Sequence, residues 1–160
     1  DIPAKVEFEK PSAEPWRIGS ATVRRIALNH PGSAQGFRID DASGASVAYL
    51  TDNELVRGAA GKAALDDLAR FAANTGLLIH DSQYLDSDMP DKYGWGHSVI
   101  DDVVTLGARA EARGVVLFHH DPNRTDDDLD AIKVRAAALL AEQAPEAELC
   151  VAIEGQSIEL

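Results

Sequence analysis

GHSVIDDVVTLGARAEARGVVLFHHDP, residues 96–122, decides how the chain is read. It opens in a Gly-His-Ser turn. Ile100, Val103, Val104, Leu106 and Ala110 then recur at helical spacing, with Asp101, Asp102, Arg109 and Glu111 on the other side. Gly114 stops that helix, and a short apolar run, 115–118, ends abruptly at His119, His120 and Asp121. A buried strand that ends in imidazoles and a carboxylate is a scaffold for delivering ligands to one point. The chain has 5 histidines. Those outside this stretch, His30 and His80, also fall at or just past the ends of expected strands.

Downstream, Thr125 and Asp128 have the spacing of a helix cap, with Asp126 and Asp127 in the first turn. That helix runs to about residue 143 and buries Leu129, Ile132, Ala136 and Leu139; a last apolar strand follows at 149–153. Upstream, 62–74 has helix spacing, 77–79 is a short buried strand, and 82–96 is a polar loop carrying Tyr84, Met89, Tyr93 and Trp95. The first fifty residues are strands and turns instead. An edge strand is expected at 6–9 and a hairpin across 16–28 about Gly19 and Ser20. Further strands follow at 36–40 and 46–50. The second half therefore alternates helix and strand, and no repeat or long linker divides the chain. We read residues 1–160 as one domain.

Composition narrows the classes. Hydrophobic residues make up 45% and charged residues 26%, enough apolar material for a packed core without crosslinks. The net charge of -12, with basic residues scattered, opposes binding to anionic membranes and weighs against a bulky nucleic acid. Cys150 is alone, so no intrachain disulfide forms; it lies in an apolar run and is expected to be buried. The reading is a cytoplasmic protein, and no stretch approaches the ~20 apolar residues of a membrane span. There is no HxH pair, CxxC or HExxH, so a complete metal cage is not legible.

Taken in order, Asn29-His30-Pro31-Gly32, Ala48-Tyr49-Leu50-Thr51-Asp52, His80-Asp81-Ser82-Gln83-Tyr84, Gly96-His97-Ser98 and Leu117-Phe118-His119-His120-Asp121-Pro122 resemble the later motifs of metallo-β-lactamase-fold hydrolases. The resemblance is to the branch containing the tRNA 3′-processing endonuclease Z and related phosphodiesterases, and it covers most of the chain. The family's HxHxDH motif is not in the sequence. The resemblance thus implies an α/β (α+β) fold, the C-terminal half of an αββα sandwich: a mixed sheet with helices on one face.

It also implies chemistry. His30 would complete one metal's ligands, Asp52 would bridge two metals, and His119 would bind the second, with His120 as the register alternative. Where the family often has Gly-Asp-Thr, this chain has Thr51-Asp52-Asn53, keeping the Asp. His97 would be the catalytic imidazole near the scissile phosphate, and Asp121 would orient His119 or His120. The expected cofactors are two Zn2+, with Mn or Fe as substitutes, and the chain by itself is compatible with a metal-free state. The expected substrate is a small phosphodiester or related ester. A half-sandwich leaves a sheet face bare, so the expected partner is the missing half or a second copy, giving a dimer. The alternatives are a non-catalytic interaction module and a di-iron redox protein. His80 is expected to be structural, Asp81 to order a loop, and Arg124 to lie at the surface.

Overall fold

The computed structural model describes residues 15–89 and 91–160, so the edge strand expected at 6–9 lies outside them. Seven strands form one sheet in chain order: β1 (Trp16–Ile18), β2 (Ala21–Ala27), β3 (Gln35–Asp40), β4 (Ser46–Leu50), β5 (Leu77–Asp81), β6 (Gly114–Phe118) and β7 (Glu148–Val151). Strands β1 to β4 pair antiparallel, as short turns require. Strands β4 to β7 are parallel, and each of the three steps between them passes through a helix: α1 (Gly58–Phe71), α2 (Ile100–Arg109) and α3 (Asp126–Gln143). Right-handed crossovers stepping the same way along a sheet put every helix on one face. Accordingly α2 packs between α1 and α3.

The pleat sorts the strands' side chains. Ala48, Leu78 and Val115 share one row toward the helices, and Leu50, His80 and Leu117 share the next. The apolar members join the core with Val103, Val104, Leu106, Ile132, Ala136 and Leu140 from α2 and α3. Burying each valine, leucine or isoleucine among them contributes about 1.5–3 kcal/mol. Gly107 lets α2 approach β6 closely, since a Cβ there would stand 2.3 Å from Val115 Cγ2. The opposite face carries Phe37, Val47, Tyr49, Ile79 and Phe118, none fully buried, beside Leu77 and Val116, which are buried. No helix among the described residues covers it. Cys150 lies on that face and is half-buried, a correction to the buried position expected.

Arg38 stitches the antiparallel half to α1. Its Nη1 donates to the carbonyls of Phe71 at 2.9 Å and Ala73 at 2.7 Å, satisfying carbonyls at the helix end, while Asp40 balances its charge. The capping box of α3 forms as expected, Thr125 and Asp128 exchanging backbone and side-chain bonds. Helix α2 ends at Arg109, short of the Gly114 stop expected for it. Residues before Ile100 are committed elsewhere: Ser98 N bonds Asp81, and Tyr84 bridges to Val99 in a strand-like pairing. At its other end Glu111 turns left-handed, with φ 52. No helix among the described residues is long and apolar enough to cross a membrane.

Candidate metal centre

The parallel strands β4, β5 and β6 end along a single edge of the sheet, and the turn between β2 and β3 lies at the same edge. This is why residues far apart in sequence meet there. Asp52 follows β4, His119 follows β6, and His97 comes from the loop before α2. One donor atom from each of these three lies within 4.8 Å of the others. Asp52 Oδ1 is 3.3 Å from His119 Nε2, and the His97 and His119 rings are 5.0 Å apart. His119 adopts a left-handed backbone, φ 55, at the point where β6 stops. A non-glycine residue held there is strained unless its surroundings require it, as at functional sites. The Asp52 and His119 side chains remain 38% and 41% exposed, so the centre is open to a ligand.

His97 is held from behind. Its Nδ1 is 3.0 Å from Asp81 Oδ2, and Asp81 is fully buried. A carboxylate at that distance assigns the proton to Nδ1 and leaves Nε2 as the free ring nitrogen. Asp81 also accepts from Asn53 N at 2.7 Å and Ser98 N at 2.8 Å. It thus orders the loops, as expected, and in addition sets the catalytic candidate, which the sequence reading did not assign to it. The signal available was a carboxylate directly after a buried strand histidine.

Asn53 completes this network. Its Oδ1 accepts from Asn29 N at 2.9 Å, its Nδ2 lies 3.2 Å from His80 Nε2, and its carbonyl accepts from Ser98 Oγ at 2.6 Å. His80 Nδ1 donates to the Asp81 carbonyl at 2.7 Å, so Nε2 is the acceptor and the ring is neutral. Burial pushes its pKa below the ordinary 6.5, against the opposing charge and carbonyl of Asp81. The folded protein therefore binds this proton less readily than the unfolded chain, and stability falls as pH drops through 6.5 toward the lowered value. We expect urea-unfolding free energies measured from pH 8 to pH 5 to decline by up to about 1.4 kcal/mol per pH unit from this group. His80→Gln should lose that part of the slope; an identical slope in the variant would contradict the buried neutral ring.

His30 is near the cluster but outside its donor set. Its ring meets that of His97 edge-on at 5.5 Å, and its Nδ1 accepts from Gly32 N at 3.1 Å. Gly96 lies against it: at φ +91, a Cβ would stand 2.3 Å from His30 Cδ2 and 2.7 Å from Pro31 Cδ. Gly94, at φ +80, has nothing within 4 Å of its Cβ position. Gly94→Ala should therefore cost only the left-handed strain, about 1–2 kcal/mol. Gly96→Ala should cost more, about 2–4 kcal/mol, because the clash adds to it. Chemical denaturation of both variants compares them; equal losses would remove the packing of Gly96 on His30.

Two expectations are corrected. His120 lies outside the donor cluster: its Nε2 donates to the Ala152 carbonyl at 3.1 Å. Asp121 orients neither imidazole. Its carboxylate accepts from Asn123 N and Nδ2, both at 2.9 Å, in a local turn whose backbone bond holds the carboxyl below the ordinary range. Arg124 pairs with Asp88 and is only partly exposed. Tyr84 is 2% exposed with its ring 6.1 Å from that of His97, a packing role behind the site.

No family model matches the chain. A curated relative, Ribonuclease Z of Pyrococcus furiosus, is 27% identical over 107 residues, covering 66% of this chain and 28% of the relative. Among solved structures, the metallo-β-lactamase fold protein YhfI of Bacillus subtilis superposes with a TM-score of 0.70 at 20% identity, over 89% of this chain and 51% of that one. The short form of human tRNase Z gives 0.62 at 19% identity, over 90% and 45%. A diiron β-hydroxylase from Streptomyces venezuelae gives 0.58 at 12% identity, over 86% and 31%. The chain spans about half or less of the length of these proteins. At such identities the likeness shows the fold, and the hydroxylase shows that this fold carries more than one chemistry.

Proposed function

We propose that this chain, which has the metallo-β-lactamase fold, contributes the Asp52–His97–His119 side of a metal-dependent hydrolase acting on a phosphodiester or related ester. The observation that carries the reading is the convergence of those three donors, from separate segments, within 4.8 Å. A carboxylate with imidazoles suits a divalent zinc-like ion. Asp52 and His119 would hold it, and His30, whose ring lies edge-on to that of His97, would join as a further imidazole. When bound, the metal supplies a water of lowered pKa and polarises the phosphoryl oxygen. A second zinc would need further ligands, which we place outside residues 1–160, in a segment carrying HxHxDH. That segment, or a second copy, would also cover the part of the sheet face that is exposed, around Tyr49.

The chain's own contribution is orientation and proton transfer. Asp81 fixes the His97 ring through Nδ1, so the remaining nitrogen, Nε2, would take a proton from the attacking water and pass it to the leaving oxygen. Asp81 is fully buried and fixed by two backbone N–H groups, so this orientation needs no rearrangement during reaction. The net charge of -12 favours a small substrate over a long polyanion.

The test is hydrolysis of bis(p-nitrophenyl) phosphate by the zinc-supplemented product of the intact gene. Asp52→Ala and His119→Ala should each lower kcat/KM by about 10³-fold or more, and His120→Ala should leave it near wild type. Activity unchanged by the first two would end the hydrolase reading and favour an interaction module.

A further inference from the structure

Trp95 is 56% exposed, yet its backbone is pinned on both sides. Glu54 accepts from Gly94 N through Oε1 at 3.0 Å and from Gly96 N through Oε2 at 2.9 Å. Lys92 Nζ lies 4.1 Å over the Trp95 ring centroid and 5.5 Å from that of Tyr84. The loop thus presents an ordered indole with a cation on it, at the rim of the centre. Packing within the chain does not account for this, because most of the indole faces water.

The charges around it are informative. Arg57, Arg109, Arg124 and Arg135 are each paired with aspartates. Lys92 forms no ion pair among the described residues. It stands beside carboxylates without being neutralised by one: together with the dominant Asn123 backbone bond, it helps hold Asp121 low. An anion approaching Asp52, Asp81 and Glu54 meets like charge, and Lys92 is the local cation that offsets it. An ammonium over an indole is also desolvated on one side, which strengthens its hold on an anion.

We propose that Lys92 and Trp95 form a subsite for an anionic group attached to a flat ring, beside the metal centre. The anion pairs with the Lys92 ammonium and the ring stacks on Trp95. Glu54 is the positioning residue that fixes the loop. This subsite deepens the hydrolase reading and rests on it for the identity of the reacting bond.

The experiment is an equilibrium titration of the full chain, in a Trp16→Phe background so that Trp95 is the only indole. The probes are 5′-AMP, adenosine and inorganic phosphate. AMP should quench Trp95 emission and bind about tenfold tighter than either fragment, and Lys92→Met should weaken AMP by about tenfold while leaving adenosine unchanged. Glu54→Gln, which keeps one acceptor oxygen, should weaken AMP less than Lys92→Met does. Absence of AMP binding at millimolar concentration, or AMP affinity indifferent to Lys92, overturns the subsite. Because binding is read without turnover, an inactive protein with Lys92-dependent quenching keeps the subsite and removes the hydrolase. An active protein whose AMP affinity ignores Lys92 does the reverse.

Discussion

Asp81→Ala is expected to destabilise the fold by about 3–5 kcal/mol and to release His97. Asp81 is fully buried and accepts from Asn53 N, Ser98 N and His97 Nδ1, the longest of these at 3.0 Å. Removing the carboxylate leaves two backbone donors without partners inside the protein, each costing about 1–3 kcal/mol. It also frees the ends of two loops, since Asn53 follows β4 and Ser98 precedes α2. Asp81→Asn keeps the volume but turns one acceptor into a donor, so its loss should be smaller yet still measurable. Urea unfolding of both variants reads this directly. A loss below about 1 kcal/mol for the alanine variant would show that water or a shifted loop replaces the carboxylate.

Zinc affinity should fall by about 10²-fold or more in either Asp52→Ala or His119→Ala, a larger change than loss of an outer hydrogen-bond partner produces. Both residues are partly exposed, so neither substitution should disturb the core. His120→Ala is the internal control, because its ring is spent on the Ala152 carbonyl. Isothermal titration of the chain with Zn2+ separates the cases. Equal affinity across the three variants would place the ion elsewhere.

The sheet was legible because its signals are periodic. The helical spacing of Ile100, Val103, Val104 and Leu106 and the apolar run before His119 specify a helix and a buried strand, and both form. The resemblance placed His119 at the centre with His120 as the alternative, but the residue pattern alone does not choose between them. The choice is made by a left-handed backbone at His119, and no residue type at that position announces it. Asp121 was misread because a local turn with Asn123 outcompetes a distant imidazole for the carboxylate. The role of Asp81 was hidden for another reason. Its partners, Asn53 and Ser98, are 28 and 17 residues away, and no spacing in the sequence links them. Cys150 shows the limit of reading an apolar run as buried, since β7 lies at the end of the sheet with one face uncovered by the described helices.

The convergence of Asp52, His97 and His119 can be tested at the metal itself by zinc K-edge X-ray absorption of the zinc-loaded protein. The expected spectrum has a first coordination sphere of nitrogen and oxygen at about 2.0–2.2 Å, with imidazole scattering that diminishes in His119→Ala. Sulfur scattering at about 2.3 Å, which only Cys150 or Met89 could supply, or a spectrum unaltered by His119→Ala, would contradict a centre at these residues.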